Sequence, residues 1–439
     1  MIIDEDACQS GHQRANTLAL GLGSAVRSLY AMILLLLILF AAIGGINGEC
    51  NVIDYGAKGD GKTLDTAAIQ HTINICDSIL LPKGYKFLSA PLNLTSNRVF
   101  TVNGVLLAVT DPDLWPVVAP LPSYPKPVEN YGNMTNRYGA FIGLFEGKNV
   151  SITGTGTIDG QGFVWWERSG RLPGHKDTLK HTRGRLFEPM YSSNITVTNI
   201  TIVNAPFWVI HLYVCDDVLI EGVTVAAPVY SRNTDCIDPD SSTNVVIRNC
   251  TLSGGDDQVA IKSGQDEAGR RFGKPSINIT VEDIHCLHGD GISIGSEMSG
   301  GVSNVVVRNV KFNDVLHPMR IKTGYGRGGT VENVLFENIE LATLGQACGT
   351  GITVDEFDGN ILPNASHAKA GWPNINSIIF RNVRGGALTA GMFNCIPELP
   401  CKNITMENVS ITSLPRHGFI ECNNTKFSRA VNVRPKSCF

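Results

Sequence analysis

The feature that most constrains this chain is a short pattern that returns many times from about residue 149 onward. Each copy begins with Asn and continues with alternating apolar and polar residues, as in NVSITGTGTIDG from Asn149, NITVTNITIVNAP from Asn194 and NVVVRNVKFND from Asn304. Alternation over runs this short predicts β-strands and not helices.

The spacing of these copies indicates a solenoid. Equivalent strand centres at Val246, Thr280, Val306 and Leu335 are 34, 26 and 29 residues apart, and steps of about 20–50 residues mark repeat architectures. No helical pattern lies between the copies, and the Trp-Asp endings of propeller blades are absent. We therefore predict an all-β fold, a single-stranded right-handed parallel β-helix whose coils stack about 4.8 Å apart, with the recurring Asn side chains forming ladders.

One segment, Asp65–Ile75, has a helical pattern, and Asp65 is placed to cap it. We expect this short helix to close the N-terminal end of the stack, because a solenoid needs a capping element. No linker divides the rest of the chain, so we predict one β-helix domain over residues 49–439.

The first 48 residues differ from the rest. Residues 31–46 read AMILLLLILFAAIGGI, which is short for a membrane span of about 20 residues and fits the apolar region of a signal peptide. The polar stretch before it is long for a signal peptide, so either Met32 is the natural start or the segment is an uncleaved anchor. We predict that residues 1–48 are an N-terminal extension plus a signal peptide or signal anchor. The protein would then be secreted, and would contact a membrane only if the segment is uncleaved.

Cysteine usage agrees with an oxidising compartment. The chain has 12 Cys, and two pairs bracket a short loop and the C-terminal tail, which is typical of loop-closing disulfides. N-x-[ST] acceptor sequences are also dense, and several should carry glycan in a secreted protein. The predicted disulfide pairs are Cys395 with Cys401 and Cys422 with Cys438.

Composition excludes several classes of function. Charged residues make up only 17% of the chain and the formal net charge is −4. A disordered chain would need a higher net charge, and a nucleic-acid-binding protein would need a basic surface. We see no cluster of metal ligands, which argues against calcium-dependent pectate lyases.

Two acidic motifs lie one coil apart. The segment RNTDCID contains Asn233 and Asp235, and GGDDQ contains Asp256 and Asp257. Asp235 and Asp257 are 22 positions apart, which matches one short coil, so we expect these carboxylates on the same face. Each motif alone could be a turn former. Together they favour a glycosidase site, which needs two carboxyl groups and keeps one protonated by crowding like charges.

Two cations follow on a later coil. Arg320 and Lys322 are two residues apart in a strand-like run and project to the same side. A pair of cations beside an acidic cluster suits an anionic substrate such as a uronic acid polymer. The alternative is a salt-bridged surface strand.

The ordered motifs NTD, GDD, GxGISIGS and RIK, on a predicted β-helix, resemble glycoside hydrolase family 28, the polygalacturonases. NVIDYGAKGDGKTLDTAAIQ from Asn51 resembles that family too, and the resemblance extends to the C terminus. It implies a monomeric cell wall enzyme that hydrolyses α-1,4-galacturonosyl bonds in pectin (homogalacturonan) without cofactor or metal. Cleavage of rhamnogalacturonan or substituted pectin is an alternative. The insertion at 265–275 resembles exo-acting relatives.

The resemblance also implies residue roles. Asp256 would be the general acid, and Asp235 and Asp257 would hold and activate water for an inverting displacement. Three further residues would bind the galacturonate carboxylate or orient the cluster: Arg320, Lys322 and Asn233.

One position departs from the family pattern. Asp290, in Gly289-Asp290-Gly291, stands where members with the fullest motif have a histidine. Asp290 would replace it by raising the proton affinity of Asp256, or His288 would reach the site from two residues earlier. In a third interpretation, the site is weakened and the protein binds pectin without cutting it well. We include Asp290 and His288 among the predicted substrate-binding residues.

Overall fold

The computed structural model describes residues 48–438, except for 125–135, 171–173, 343–347, 359–370, 414–417 and 437. The predicted signal segment therefore lies outside the described residues. Residues from Cys50 onward form one compact unit. Among the described helices, none is both long and apolar enough to cross a membrane.

Strands dominate the described residues, which also contain three short α-helices. The helices are α1 (Thr66–Ile75), α2 (Phe163–Arg168) and α3 (Asp266–Phe272). The strands in chain order are β1 (Cys50–Asn51), β2 (Asp60–Leu64), β3 (Ser78–Leu81), β4 (Lys86–Ser89), β5 (Leu92–Leu94), β6 (Arg98–Val102), β7 (Val105–Ala108), β8 (Val117–Val118), β9 (Arg137–Tyr138), β10 (Ile142–Phe145), β11 (Lys148–Thr153), β12 (Thr157–Asp159), β13 (Phe187–Met190), β14 (Ser193–Thr198), β15 (Thr201–Val203), β16 (Ile210–Tyr213), β17 (Asp216–Glu221), β18 (Thr224–Ala226), β19 (Ile237–Asp240), β20 (Thr243–Arg248), β21 (Thr251–Ser253), β22 (Val259–Ile261), β23 (Ser276–Gly289), β24 (Ile292–Ile294), β25 (Val302–Val315), β26 (Met319–Lys322), β27 (Thr330–Leu341), β28 (Cys348–Asp355), β29 (Asn374–Asn394), β30 (Cys401–Thr412), β31 (Ile420–Asn423) and β32 (Thr425–Arg434).

The strands stack in three parallel columns, each pairing with its equivalent one coil later. One column runs β3–β6–β11–β14–β17–β20, a second runs β4–β7–β12–β15–β18–β21, and β23 continues both. The third, which we call the site column, runs β5–β10–β13–β16–β19–β22–β24–β26–β28. Val246, Thr280, Val306 and Leu335 are direct register partners. The predicted parallel β-helix and its coil spacing are confirmed.

Asparagine ladders hold the coil corners. Asn278 donates from Nδ2 to Asn244 Oδ1 at 3.1 Å, and Asn304 donates to Asn278 at 3.3 Å. These residues adopt left-handed backbone angles with φ of 54–58°, which Asn tolerates better than other residues with a Cβ. Asn therefore turns the chain and links successive coils, as its recurrence predicted.

The capping helix forms as α1 and packs Ile69 and Ile73 into the core. Asp65 stands at its N-cap, but the expectation that its side chain caps the helix is wrong. The Asp65 carboxylate accepts hydrogen bonds from the backbone N–H of Lys58 at 2.6 Å and Gly59 at 3.0 Å. The preceding turn folds back onto the carboxylate and occupies both of its oxygens.

Three disulfides close chain segments in the described residues. Two are the predicted pairs, Cys395–Cys401 and Cys422–Cys438. The third joins Cys50 to Cys76 across α1 and was not predicted.

Phe336 should be one of the most stabilising core residues. It is fully buried and stacks on Phe380 with ring centroids 5.3 Å apart. We expect Phe336→Ala to lower the free energy of unfolding by about 3–5 kcal/mol, because the coil cannot collapse to fill the cavity. Urea denaturation would measure this. The control is Phe163→Ala, at a side chain that is 52% exposed, and we expect a change within about 0.5 kcal/mol there. Equal losses in the two variants would contradict the assignment.

Candidate active site

The site lies on four consecutive strands of the site column. Ile237 pairs with Val259, Val259 with Ile292, and Ile292 with Met319. The residues two positions before these partners consequently follow one another along the stack: Asp235, Asp257, Asp290 and His317. The predicted placement of Asp235 and Asp257, one coil apart, follows from this register.

Three carboxylates converge here. One oxygen from each of Asp235, Asp256 and Asp257 lies within 4.8 Å of the others. Asp235 and Asp257 are buried, and Asp256 is partly buried. Like charges this close cannot all be ionised without cations or a retained proton.

Asp256 is held by neutral donors. Asn233 Nδ2 donates to Asp256 Oδ2 at 3.3 Å, and the backbone N–H of Asp257 donates to Oδ1 at 3.1 Å. Burial, followed by the charges of Asp235 and Asp257, raises the pKa of Asp256 well above its usual value. Asp256 is therefore the member of the cluster suited to keep a proton.

Asp257 and Asp235 are instead paired with lysines, of which Lys262 is buried and Lys322 is partly buried. Lys322 Nζ lies 2.8 Å from Asp257 Oδ2, and Ser293 Oγ donates to Asp257 Oδ1. Lys262 Nζ lies 3.1 Å from Asp235 Oδ2. Burial raises the pKa of Asp235, while Lys262 opposes that rise.

Arg320 is fixed by acidic partners next to the cluster. Its guanidinium lies 3.1 Å from Asp290 Oδ2 and 3.3 Å from Asp358 Oδ1. His317 Nδ1 contacts the other Asp290 oxygen at 3.3 Å. Burial favours the neutral form of Asp290, but the hydrogen bond and charge of His317, together with Arg320, lower its pKa below the usual value. An ionised Asp290 also contributes to the raised pKa of Asp256.

Comparison with known proteins identifies a family for this chain. The family model described as "Glycosyl hydrolases family 28" matches residues 75–438. The chain belongs to this family. A "Probable polygalacturonase" from Vitis vinifera is 36% identical over 387 residues, covering 85% of this chain and 76% of the relative. An "Exopolygalacturonase" from Zea mays is 30% identical and covers 91% of this chain and 92% of the relative.

Solved structures of polygalacturonases share the fold. An exopolygalacturonase from Thermotoga maritima superposes with a TM-score of 0.78 at 26% identity, covering 89% of this chain and 93% of that one. A polygalacturonase from Erwinia carotovora ssp. carotovora gives 0.64 at 26% identity, covering 89% and 97%.

His288 does not join this family 28 site. Its ring is about half exposed, and Nδ1 lies 3.4 Å from the exposed carboxylate of Asp314. The expectation that His288 faces the same way as Asp290 assumed a regular strand. Instead β23 ends at Gly289, whose φ of +124° breaks the alternation.

Three residues at the site were missed from the sequence. Lys262 contacts Asp235, His317 contacts Asp290, and Asp358 contacts Arg320. Lys262 lies in the segment IKSG at 261–264, and nothing in that segment shows where the side chain points. His317 lies 27 residues after Asp290, which is a coil step, and that spacing was the available signal. Asp358 follows β28 in a coil corner with no repeat signature.

A buried layer lies behind the site. His211 Nδ1 contacts Glu188 at 3.0 Å, and Nε2 contacts Asp240 at 3.1 Å, so His211 links two coils of the wall behind the site. Trp165 and Trp166 are buried at 0% and 2% exposure, which identifies them as packing residues and not as a sugar-stacking surface.

The three carboxylates are close enough to suggest a divalent cation, which prefers such ligands. However, the Lys262 and Lys322 ammonium groups already donate to Asp235 and Asp257. Positive charge is thus supplied from within the chain, and the donor set fits acid–base chemistry better than metal binding.

Proposed function

We propose that this family 28 enzyme hydrolyses α-1,4 bonds between galacturonates in pectin, acting as a secreted monomer in the cell wall without cofactor. The arrangement of Asp256 carries the proposal, because a carboxyl group held by neutral donors lies beside two lysine-paired carboxylates. The names of the Vitis vinifera and Zea mays relatives support the substrate class.

The proposed mechanism is a single displacement with inversion. Asp256 protonates the glycosidic oxygen, and Asp235 and Asp257 orient and deprotonate the attacking water. Inverting glycosidases separate their two carboxyl groups by about 6.5–9.5 Å. The nearest oxygens here lie within 4.8 Å, which measures closest approach and not the separation of carboxyl centres. NMR of the first-formed anomer tests inversion directly.

The substrate carboxylate would bind Arg320 and Lys322, which lie two residues apart on β26. Both side chains are partly buried beside the acidic cluster. A carboxylate in this position gains charge-assisted hydrogen bonds, and Asn233 orients the acid.

We further propose exo-action. The insertion at 265–275 forms α3, and it is tied to the loop after β26 because Asp266 pairs with Arg327 and Arg270 donates to the carbonyl of Gly326. An insertion held in place by these contacts would close one end of a cleft. The exopolygalacturonases of Zea mays and Thermotoga maritima support this interpretation.

The deciding experiment is incubation of the purified protein with polygalacturonate at acidic pH, with EDTA present and absent. We expect reducing ends to appear mainly as galacturonate monomer, at the same rate in both samples. Oligomers as the first products would contradict exo-action. Absence of any release would contradict the hydrolase proposal and favour a pectin-binding wall protein. Release only from rhamnogalacturonan would favour that alternative.

Asp290→His distinguishes a replacement for the family histidine from a weakened site. Asp290 contacts both Arg320 and His317, so a histidine at 290 would remove the carboxylate that these two side chains share. We expect kcat/KM to fall about tenfold or more, since loss of a buried ion-pair partner is costly. Asp314→His, at an exposed position, should change the rate less than twofold. A sharp rise in kcat/KM for Asp290→His would show that Asp290 makes the enzyme less active than a histidine at this position would.

A further inference from the structure

Lys262 is a buried cation at the centre of the acidic cluster. Lys262 directly follows β22, and its backbone forms a parallel β-bridge with Asp240 in the preceding coil. Only 3% of its side chain is exposed. Its Nζ lies 4.5 Å from the centre of the Trp208 ring, which covers the ammonium group. The positive charge of a lysine that is this deeply buried must be compensated by nearby anions.

Three carboxylates supply that compensation. Nζ lies 3.1 Å from Asp235 Oδ2, 3.4 Å from Glu297 Oε2 and 3.6 Å from Asp238 Oδ1. Burial favours the neutral form of Glu297, but Lys262 and then Arg327 lower its pKa to about 2. Glu297 therefore stays ionised and shares two cations, while the shortest contact of Lys262 is to Asp235.

The two oxygens of Asp235 have different partners. Oδ2 accepts from Lys262, whereas Oδ1 is buried and receives no hydrogen bond from any residue that the structure describes. Asp257 differs, since Ser293 occupies its Oδ1 and Lys322 its Oδ2. A general base needs a free lone pair on the oxygen that takes the proton, and Asp235 Oδ1 meets this requirement.

We propose that Lys262 is a positioning residue that holds Asp235 ionised and turns its Oδ1 toward the attacking water, which makes Asp235 the base of the reaction. This proposal rests on the hydrolase function proposed above. It assigns Asp257 a supporting electrostatic role, because the Ser293 hydroxyl and the Lys322 ammonium group each donate to one of its oxygens and make both less basic than Asp235 Oδ1.

The surrounding charges support this division of roles. Burial is the largest effect on Asp235 and raises its pKa, and the negative charge of Asp257 raises the pKa further. The positive charges of Lys262 and Lys322 lower the pKa, and Lys262 has the larger effect of the two. Asp238 lies in the same group, and its own pKa is raised well above the usual value by burial and then by the charge of Asp235. Among the described residues, no cation forms an ion pair with Asp256. In the proposed mechanism Asp256 therefore keeps its proton, and Asp235 is the ionised carboxylate.

The test is Lys262→Met, which keeps the length of the stem and removes the charge. We expect kcat to fall about 10²-fold and the acidic limb of the kcat/KM profile to move about one pH unit or more toward higher pH. The limb moves upward because Asp235 without its cation needs a higher pH to ionise. Lys262→Arg should leave the limb in place, and Lys148→Met, at an exposed lysine, should match the wild type. A lower rate with an unmoved limb would reduce Lys262 to a structural ion-pair partner and overturn the proposal.

A second variant covers the case in which Lys262→Met fails to fold. Glu297→Gln leaves Lys262 in place and removes an ionised carboxylate that shares the ammonium group with Asp235. We expect the acidic limb to move toward lower pH, and an unmoved or raised limb would overturn the proposal. Wild-type protein that releases nothing from polygalacturonate would instead refute the hydrolase function itself.

Discussion

Asp256→Asn is expected to lower kcat on polygalacturonate by about 10²–10⁴-fold, the usual contribution of a general acid. The amide preserves the shape of the side chain but cannot protonate the leaving oxygen. Asn233 and the backbone N–H of Asp257 contact the carboxylate oxygens in the wild type, so the local fold should survive the change. Reducing-end release at saturating substrate, together with thermal unfolding, measures both effects.

The pH profile gives an independent check on Asp256. A general acid must be protonated, so activity persists at pH values below its folded-state pKa and falls as pH rises through that pKa. Burial and the charges of Asp235 and Asp257 raise the pKa of Asp256, which extends the active range above the usual aspartate value. In Asp256→Asn this basic limb should disappear from the residual activity. The matched control is Asp314→Asn, at an exposed aspartate. If both variants keep the wild-type rate, Asp256 is not the acid.

Lys322→Met is expected to lower kcat/KM by about 10²–10³-fold. Lys322 Nζ pairs with Asp257 at 2.8 Å and is proposed to bind the substrate carboxylate, so its loss leaves two anions without their cation. Truncating one partner of a buried charge pair costs about 2–5 kcal/mol. Steady-state kinetics on polygalacturonate should show a raised KM and a lowered kcat.

Two comparisons separate substrate binding from folding in this variant. Lys322→Arg should recover part of the lost kcat/KM, because it restores the charge. Lys148→Met, at an exposed lysine, should retain wild-type kinetics. A KM for polygalacturonate that stays at the wild-type value in Lys322→Met would contradict carboxylate binding by this residue.

The coil architecture could be predicted because its signals are local. Period-two alternation marks each strand within a few residues, and the spacing of Val246, Thr280 and Val306 gives the coil length. These residues are direct register partners in the structure. The same coil spacing predicted that Asp235 and Asp257 lie on one face, because one coil of a parallel stack returns the chain to the same position.

Features that depend on contacts with residues outside the local sequence pattern could not be predicted. Asp65 has the residue type and position of an N-cap, but the turn at Lys58 and Gly59 reaches its carboxylate first. His288 stands where a regular strand would aim it at the site, and the backbone at Gly289 directs it elsewhere. In both cases a local rule was overridden by contacts that the local pattern does not contain.

The sequence by itself determined the β-helix, its coil spacing and the set of acidic and basic residues that share one face, because repeat period and side-chain alternation are written along the chain. Only the tertiary structure decided which carboxylate is paired with which cation. Lys262, Glu297 and Asp235 lie on three different coils, and their separations of 3.1–3.4 Å arise only when those coils stack. Burial there strengthens each charge interaction, and it raises the pKa of Asp256, which has no lysine partner among the described residues.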